Sequence, residues 1–240
     1  MSQSFFESAT NPTQYDLGEV DWKTEGSKQH FTRRMILEAI YPHIGNLEGK
    51  MALDIGSGQG WLCRELSELG AHTVGIDPSA QNTGAAHEQF PDLDFRHASF
   101  NSFQSDERLD LITATMVFEH LGDLKSAFDK ARTLLTATGR LLIVDGDFER
   151  FTMPRFGYTV ELEPIREGEI ATRTDYGERA GVLYDIFRTP ERFIADAALC
   201  GLENVVHEPY SIPDWVLREQ PRYELFEGKP VFQVLGFEAK

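Results

Sequence analysis

Short, unbroken apolar runs at 50–55, 72–77, 93–97, 109–115 and 140–145 alternate with stretches whose apolar residues recur at helical spacing. The runs predict buried parallel strands, and the intervening stretches over 59–69, about 79–89 and 123–135 predict crossover helices. The helix at 123–135 has the clearest signal. Asp123 is placed to cap it, and Leu124, Ala127, Phe128, Ala131, Leu134 and Leu135 share one face before Gly139 ends the following turn. Strands and helices in this alternation imply right-handed βαβ units.

Towards the N-terminus, Ser27 is a candidate cap for a helix over about 28–41, with Phe31, Met35, Leu37 and Ile40 apolar. Residues 1–26 read as a polar lead-in, followed after the helix by a loop at Gly45–Gly49. Thr189-Pro190 combines an N-cap with proline at the first helical position, starting a helix that ends at Gly201. Two late strands, about 203–208 and 231–238, are joined by an irregular segment, 209–230. Residues 147–187 exceed what a minimal sheet needs. Their runs Y-T-V-E-L-E, E-I-A-T-R-T and G-V-L-Y-D-I-F alternate as short strands, with R-E-G-E as a turn. An insertion after a strand's carboxyl end lies over the ligand crevice of an open α/β sheet. It therefore predicts a cap with Tyr158, Tyr176, Tyr184 and Arg173 as polar lining; a dimerisation arm is the alternative.

The chemistry concentrates where the first run ends. M-A-L-D-I-G-S-G-Q-G (51–60) leads from an acid, Asp54, into Gly56, Gly58 and Gly60, and Asp77 closes the second run in V-G-I-D-P-S. Such a turn lets backbone lie against a ligand with a helix N-terminus behind it. An acid at the next strand tip can accept both hydroxyls of a ribose. The spacing is not G-x-G-x-x-G, and no G-K-[ST] occurs, so neither a dinucleotide nor a P-loop phosphate site is indicated.

The pattern [DE]-x-G-x-G-x-G resembles motif I of the class I S-adenosylmethionine-dependent methyltransferases. L-D-L-I-T-A-T-M-V-F-E-H-L (109–121) is similar to the F-D-x-V-x-x-x-x-V-x-E-H-x segment of their ubiquinone-biosynthesis-type, small-molecule group (methyltransferase type 11/12-like). The resemblance implies an α/β fold: a Rossmann-like, doubly wound, mostly parallel seven-stranded sheet with an antiparallel C-terminal hairpin. It implies one domain over 1–240, N-terminal lid helices within 1–45 and the cap insertion at 147–187. It also implies S-adenosylmethionine as cofactor. Asp54 and the backbone of Gly56, Gly58 and Gly60 would hold its amino-acid end, Asp77 and the adjoining Pro78 its ribose, and Ala98 and Ser99 its adenine. Thr115 and Met116 would contact the methionine part, Phe118 would wall the pocket or pack in the core, and Tyr15 or Trp22 from the lid would reach over it. The chain departs from the group in having His97-Ala98 for Asp-Ala and T-A-T-G-R (136–140) for K-P-G-G-R.

Glu119-His120 admits three roles. Some relatives bind a metal through E-x-x-E-H, but Met116 stands in place of the first acid and is a poor hard-metal ligand, so no metal is expected. His120 could be a general base, with Tyr176 as a second catalytic candidate, or the pair could fix the loop. Net charge is −16, from 39 acids against 23 bases, and Lys/Arg pairs such as Arg33-Arg34 form no cluster. A polyanionic partner needs a basic face, so nucleic acid and anionic membranes are disfavoured and a small-molecule acceptor is favoured. No long apolar or signal-like segment occurs, and Cys63 and Cys200 fall in helical patterns as small fillers, which together predict a soluble, cytoplasmic protein; a monomer or homodimer is expected. The activity implied is methyl transfer to an O or N nucleophile by in-line displacement at the sulfonium methyl. Two alternatives are cleavage or cyclisation of the cofactor with release of methylthioadenosine, and a non-catalytic cofactor-binding protein.

Overall fold

The computed structural model describes residues 4–10, 26–154, 156–177 and 181–240, with residues 26–30 described by backbone alone. Strands β1 (Met51–Ile55), β2 (His72–Asp77), β3 (Asp94–His97), β4 (Leu109–Thr115) and β5 (Leu135–Gly146) pair in parallel. The late strands β9 (Leu202–Ser211) and β10 (Pro230–Ala239) close the sheet antiparallel, in the order β3-β2-β1-β4-β5-β10-β9. Strand order reverses between β1 and β4. The ligand crevice of an open α/β sheet lies outside the carboxyl ends at this reversal.

Both faces of the sheet are covered. Helix α5 (Leu124–Leu134) and helix α7 (Pro190–Leu199) bury Phe128, Ala131 and Phe193 on one face; Asp123 Oδ1 accepts from Ser126 N–H at the start of α5, and Thr189 caps α7 ahead of Pro190. On the other, helix α2 (Gly26–Ile44) buries Phe31, Met35, Ile36, Ala39 and Ile40 together with Leu62 and Leu66 of helix α3 (Trp61–Glu68). A third element, α8 (Asp214–Glu219), adds Val216 to that layer, so the segment 209–230 is part helical rather than irregular. Within the 1–45 region expected as lid helices, Gly26–Ile44 is a layer helix of the fold, because the apolar stripe of α2 faces the sheet. Strand β5 also starts earlier than the apolar pattern suggested and runs through Gly139, whose missing Cβ avoids the Leu109 carbonyl oxygen at 2.5 Å.

The insertion forms its own antiparallel sheet from β6 (Thr159–Arg166), β7 (Glu169–Asp175) and β8 (Val182–Arg188), after a single turn α6 (Phe148–Phe151). Its two faces have different neighbours. Ala171 and Ile186 pack against Ala9 of α1 (Phe5–Ala9), a short helix capped by Ser4 that lies within the polar lead-in. Asp185, in register with Thr172, lies on the alternate face and meets His120 of the main domain. Arg188 ties the two bodies together. Fully buried, it donates to the carbonyls of Phe118 (2.7 Å) and Leu121 (2.6 Å) and to Glu169 Oε1 (2.6 Å).

Candidate active site

The turn after β1 is built from left-handed backbone at Gly56, Gly58 and Gly60, with φ of 65, 53 and 84°. The three glycines serve different ends. A Cβ on Gly60 would come within 2.4 Å of the Phe95 ring, and one on Gly56 within 2.5 Å of Val117, so these two allow close packing inside the protein. At Gly58 a Cβ would meet nothing within 4 Å, so the space beside its Cα is open, although its N–H is committed within the protein. The same residue donates its N–H to Asp77 Oδ2 at 2.9 Å, and Ser79 N–H donates to Oδ1 at 2.8 Å. The acid at the tip of β2 is thereby oriented by the turn that it faces.

Asp54 lies under the turn, not on its surface. Only 2% exposed, it accepts from Thr113 Oγ1 at 2.8 Å and lies 3.8 Å from Cys63 Sγ. Its pKa is pushed up to about 7 by burial, with the Asp77 charge adding to the shift and the Thr113 hydroxyl opposing it. In the unfolded chain an aspartate titrates near pH 3.9, so between about pH 4 and pH 7 the folded state holds a proton that the unfolded state has lost. Stability should therefore fall as pH rises through this window, by up to about 4 kcal/mol. Urea unfolding at pH 5 and pH 8 tests this: Asp54→Asn should have the shallower dependence, and equal slopes would exclude it.

On the adenine side, Pro78 is exposed and its carbonyl accepts from Nε2–H of His97 at 2.9 Å, which leaves Nδ1 of a neutral ring as the acceptor. The Ala98 N–H is not free for a ligand; it donates to the Asp77 carbonyl at 3.1 Å. Ser99 remains exposed, with its hydroxyl beside Ser102. After β4, Thr115 is half-buried and Met116 takes left-handed backbone (φ 56°), which L-residues adopt only under constraint. Phe118 does not wall the crevice. It is fully buried, its ring 5.6 Å from Phe128 and 6.0 Å from Phe193, because the short 3-10 turn at Phe118–His120 directs it into the α5–α7 layer. Tyr15 and Trp22 lie outside the described residues.

The two catalytic candidates are not brought together. Tyr176 sits beyond the end of β7, half-buried with its ring 4.8 Å from Tyr158, four residues or about 13 Å of strand beyond the Thr172–Asp185 level that meets His120. Arg173 pairs with Glu161, and Tyr184 packs on Phe5, on the face turned towards α1 and away from the main domain. His120 is poorly suited to be a general base. Burial, and then the Arg188 charge, lower its pKa to about 3, although 21% of the side chain stays exposed; the ring is neutral and holds a proton weakly.

What surrounds His120 is a set of acids. Its Nδ1 lies 3.6 Å from Asp185 Oδ1 and its Nε2 3.6 Å from Glu119 Oε1. Glu119 in turn contacts Asp145 near the end of β5. Burial pushes the Glu119 pKa well above the usual carboxyl range and that of Asp145 to about 7. Asp185 and Asp145 were absent from the residues singled out by motif. Alternation in V-L-Y-D-I-F separates Asp185 from Tyr184 and Ile186, but no period tells which face meets the other sheet.

This geometry coincides with a family match. A methyltransferase-domain profile fits residues 29–161. The chain is a class I S-adenosylmethionine-dependent methyltransferase family member. Ubiquinone biosynthesis O-methyltransferases are similar to it in sequence: that of Rhodopseudomonas palustris (strain TIE-1) is 36% identical over 101 residues, and that of Nitrobacter winogradskyi 35% over 99. The first match covers 40% of each chain and the second 40% of this chain and 38% of the other, so the likeness spans well under half of either protein. A solved methyltransferase from Mesorhizobium loti superposes with a TM-score of 0.67 at 18% identity, covering 85% of this chain and 97% of that one. The glycopeptide N-methyltransferase MtfA, solved with S-adenosylmethionine, superposes at 0.65 and 12% identity, covering 86% and 93%. These superpositions bear out the expected sheet and its antiparallel closure. Among the described residues, no helix is long and apolar enough to cross a membrane.

Proposed function

We propose that this methyltransferase moves the methyl group of S-adenosylmethionine to an oxygen or nitrogen of a small-molecule acceptor. One observation carries the reading: the turn at 56–60 leaves open space beside the Gly58 Cα and locks the Asp77 carboxylate at the adjoining strand tip, where β1 and β4 diverge. Bound there, the cofactor supplies a sulfonium-activated methyl, an electrophile that needs no further activation. Asp77 accepts from the ribose hydroxyls, Ser99 lies on the adenine side, and Thr115 with Met116 borders the methionine part. Asp54 supports the turn from below. The chain's remaining task is to align the acceptor in line with the methyl and to exclude water, and proximity can supply most of the rate enhancement.

Residues 1–240 are read as one domain with the insertion 147–187 as its cap. The Asp185–His120 approach and the Arg188 bonds to Phe118 and Leu121 support this, since they hold β8 against the loop that follows β4. The similar curated proteins are named for O-methylation. The strong negative charge favours an acceptor that is not a polyanion.

Calorimetry should detect S-adenosylmethionine binding and negligible NADH binding. Asp77→Ala should weaken the former by about 1.5–3 kcal/mol through loss of hydrogen bonds to a charged acceptor. Unchanged affinity would remove the ribose assignment. Incubation with cofactor and candidate acceptors, followed by mass spectrometry of the sulfur products, decides the reaction. S-Adenosylhomocysteine signals methyl transfer, whereas methylthioadenosine would mean cleavage on the amino-acid side.

A further inference from the structure

We propose that Glu119, His120 and Asp185 bind a divalent cation at the seam between the loop after β4 and the inserted sheet, with Asp185 supplying the donor that Met116 cannot. A carboxylate oxygen from each acid and one imidazole nitrogen lie within 4.8 Å of one another. The 3.6 Å separations from His120 involve opposite ring nitrogens, Nδ1 to Asp185 and Nε2 to Glu119. One ring nitrogen ligates one cation, so a single one of them is a ligand-to-ligand separation, close to the ~3.4 Å expected for neighbours at about 2.1 Å from a shared ion in tetrahedral geometry.

The second observation is an orphaned polar atom. Glu119 is 95% buried by its 5% exposure, and its Oε2 has no hydrogen-bond partner, although Gly146 N–H and the Asp145 carboxyl act on the same side chain. Thr172 Oγ1, buried and in register with Asp185, is likewise without a partner. A buried acceptor left unpaired costs about 1–3 kcal/mol, more when it carries charge. A cation coordinated by Glu119 would remove that cost. Asp145 interacts with the Glu119 carboxyl and would orient it, as outer partners of ligating carboxylates do. Arg188 makes no bond to the three ligands, although its charge acts on His120 and Asp145. Its guanidinium is engaged by Glu169 and by the two carbonyls of the β4 loop.

Two carboxylates and an imidazole suit Mn²⁺ or Zn²⁺, whereas a site for softer ions would offer sulfur. The ligands come from two segments 65 positions apart, Glu119-His120 and Asp185. A bound ion would therefore join the cap to the main domain and stabilise the folded chain by mass action.

The test requires no turnover. Full-length protein treated with EDTA and dialysed is titrated with MnCl₂ and with ZnCl₂ by calorimetry, and bound Mn²⁺ is followed by electron paramagnetic resonance. The expected result is one saturable site per chain, with a melting temperature that rises with Mn²⁺ and falls back on adding EDTA. Asp185→Asn and Glu119→Gln should each weaken binding at least tenfold, while Asp185→His should retain Zn²⁺. S-Adenosylmethionine affinity, measured on each variant, reports that it is folded and separates failure of this site from failure of the cofactor assignment. Absence of a saturable site in the unmodified protein would overturn the proposal, as would unchanged affinity in folded Asp185→Asn.

Discussion

Arg188→Met is expected to lower stability by about 3–5 kcal/mol, and thereby the melting temperature by on the order of 10 °C for a chain of this size. The substitution keeps the stem's volume and removes the charge. Glu169, nearly fully buried, is then left with Arg166, the Leu121 carbonyl loses the guanidinium donor, and the Phe118 carbonyl is left with the Leu121 N–H. Removing one partner of a buried pair costs far more than the pair contributes against apolar replacements. The double variant Arg188→Met/Glu169→Leu should therefore recover part of the loss. Thermal unfolding of both variants checks this: a single variant within about 2 °C of the parent would show that the cap does not depend on Arg188.

The glycine turn should yield the second large effect, and the two positions should respond oppositely. Gly60→Ala puts a Cβ at 2.4 Å from the buried Phe95 ring on backbone with φ of 84°, combining steric overlap with left-handed strain. The expected cost is at least about 3 kcal/mol in folding. Gly58→Ala meets open space at φ 53°, so its folding cost should be only about 1–2 kcal/mol. Its Cβ would instead stand where the cofactor approaches. Folded Gly58→Ala protein should bind S-adenosylmethionine at least tenfold more weakly, read by calorimetry beside a urea midpoint. Undiminished affinity would place the cofactor away from this turn.

Much of the scaffold was legible because its signals are local. Buried parallel strands read as continuous apolar runs, and Asp123 and Thr189-Pro190 mark helix starts through bonds made within one turn. The glycine turn and Asp77 were legible for the same reason, being strand tips on consecutive β units. Phe118 illustrates the opposite case: its motif position could not say whether the ring enters a crevice or a core. Arg173 and Tyr184 look like polar lining in sequence, but the twist and packing of the inserted sheet turn them towards α1. Ala98 N–H was an open donor until β3 paired with β2 and assigned it to the Asp77 carbonyl.

The amino-acid order alone determined the strand segments and their α/β alternation, the turn at 56–60 and the acid that faces it, since apolar period, glycine freedom and strand-tip position are properties of short segments; the union of seven strands in one sheet came from the family resemblance. The tertiary structure decided which face of the insertion meets the main domain, and hence that Asp185 comes to His120, that Arg188 closes the seam and that burial keeps the imidazole neutral. These are contacts between segments far apart in the chain, set by how two sheets pack, and no local pattern encodes that packing.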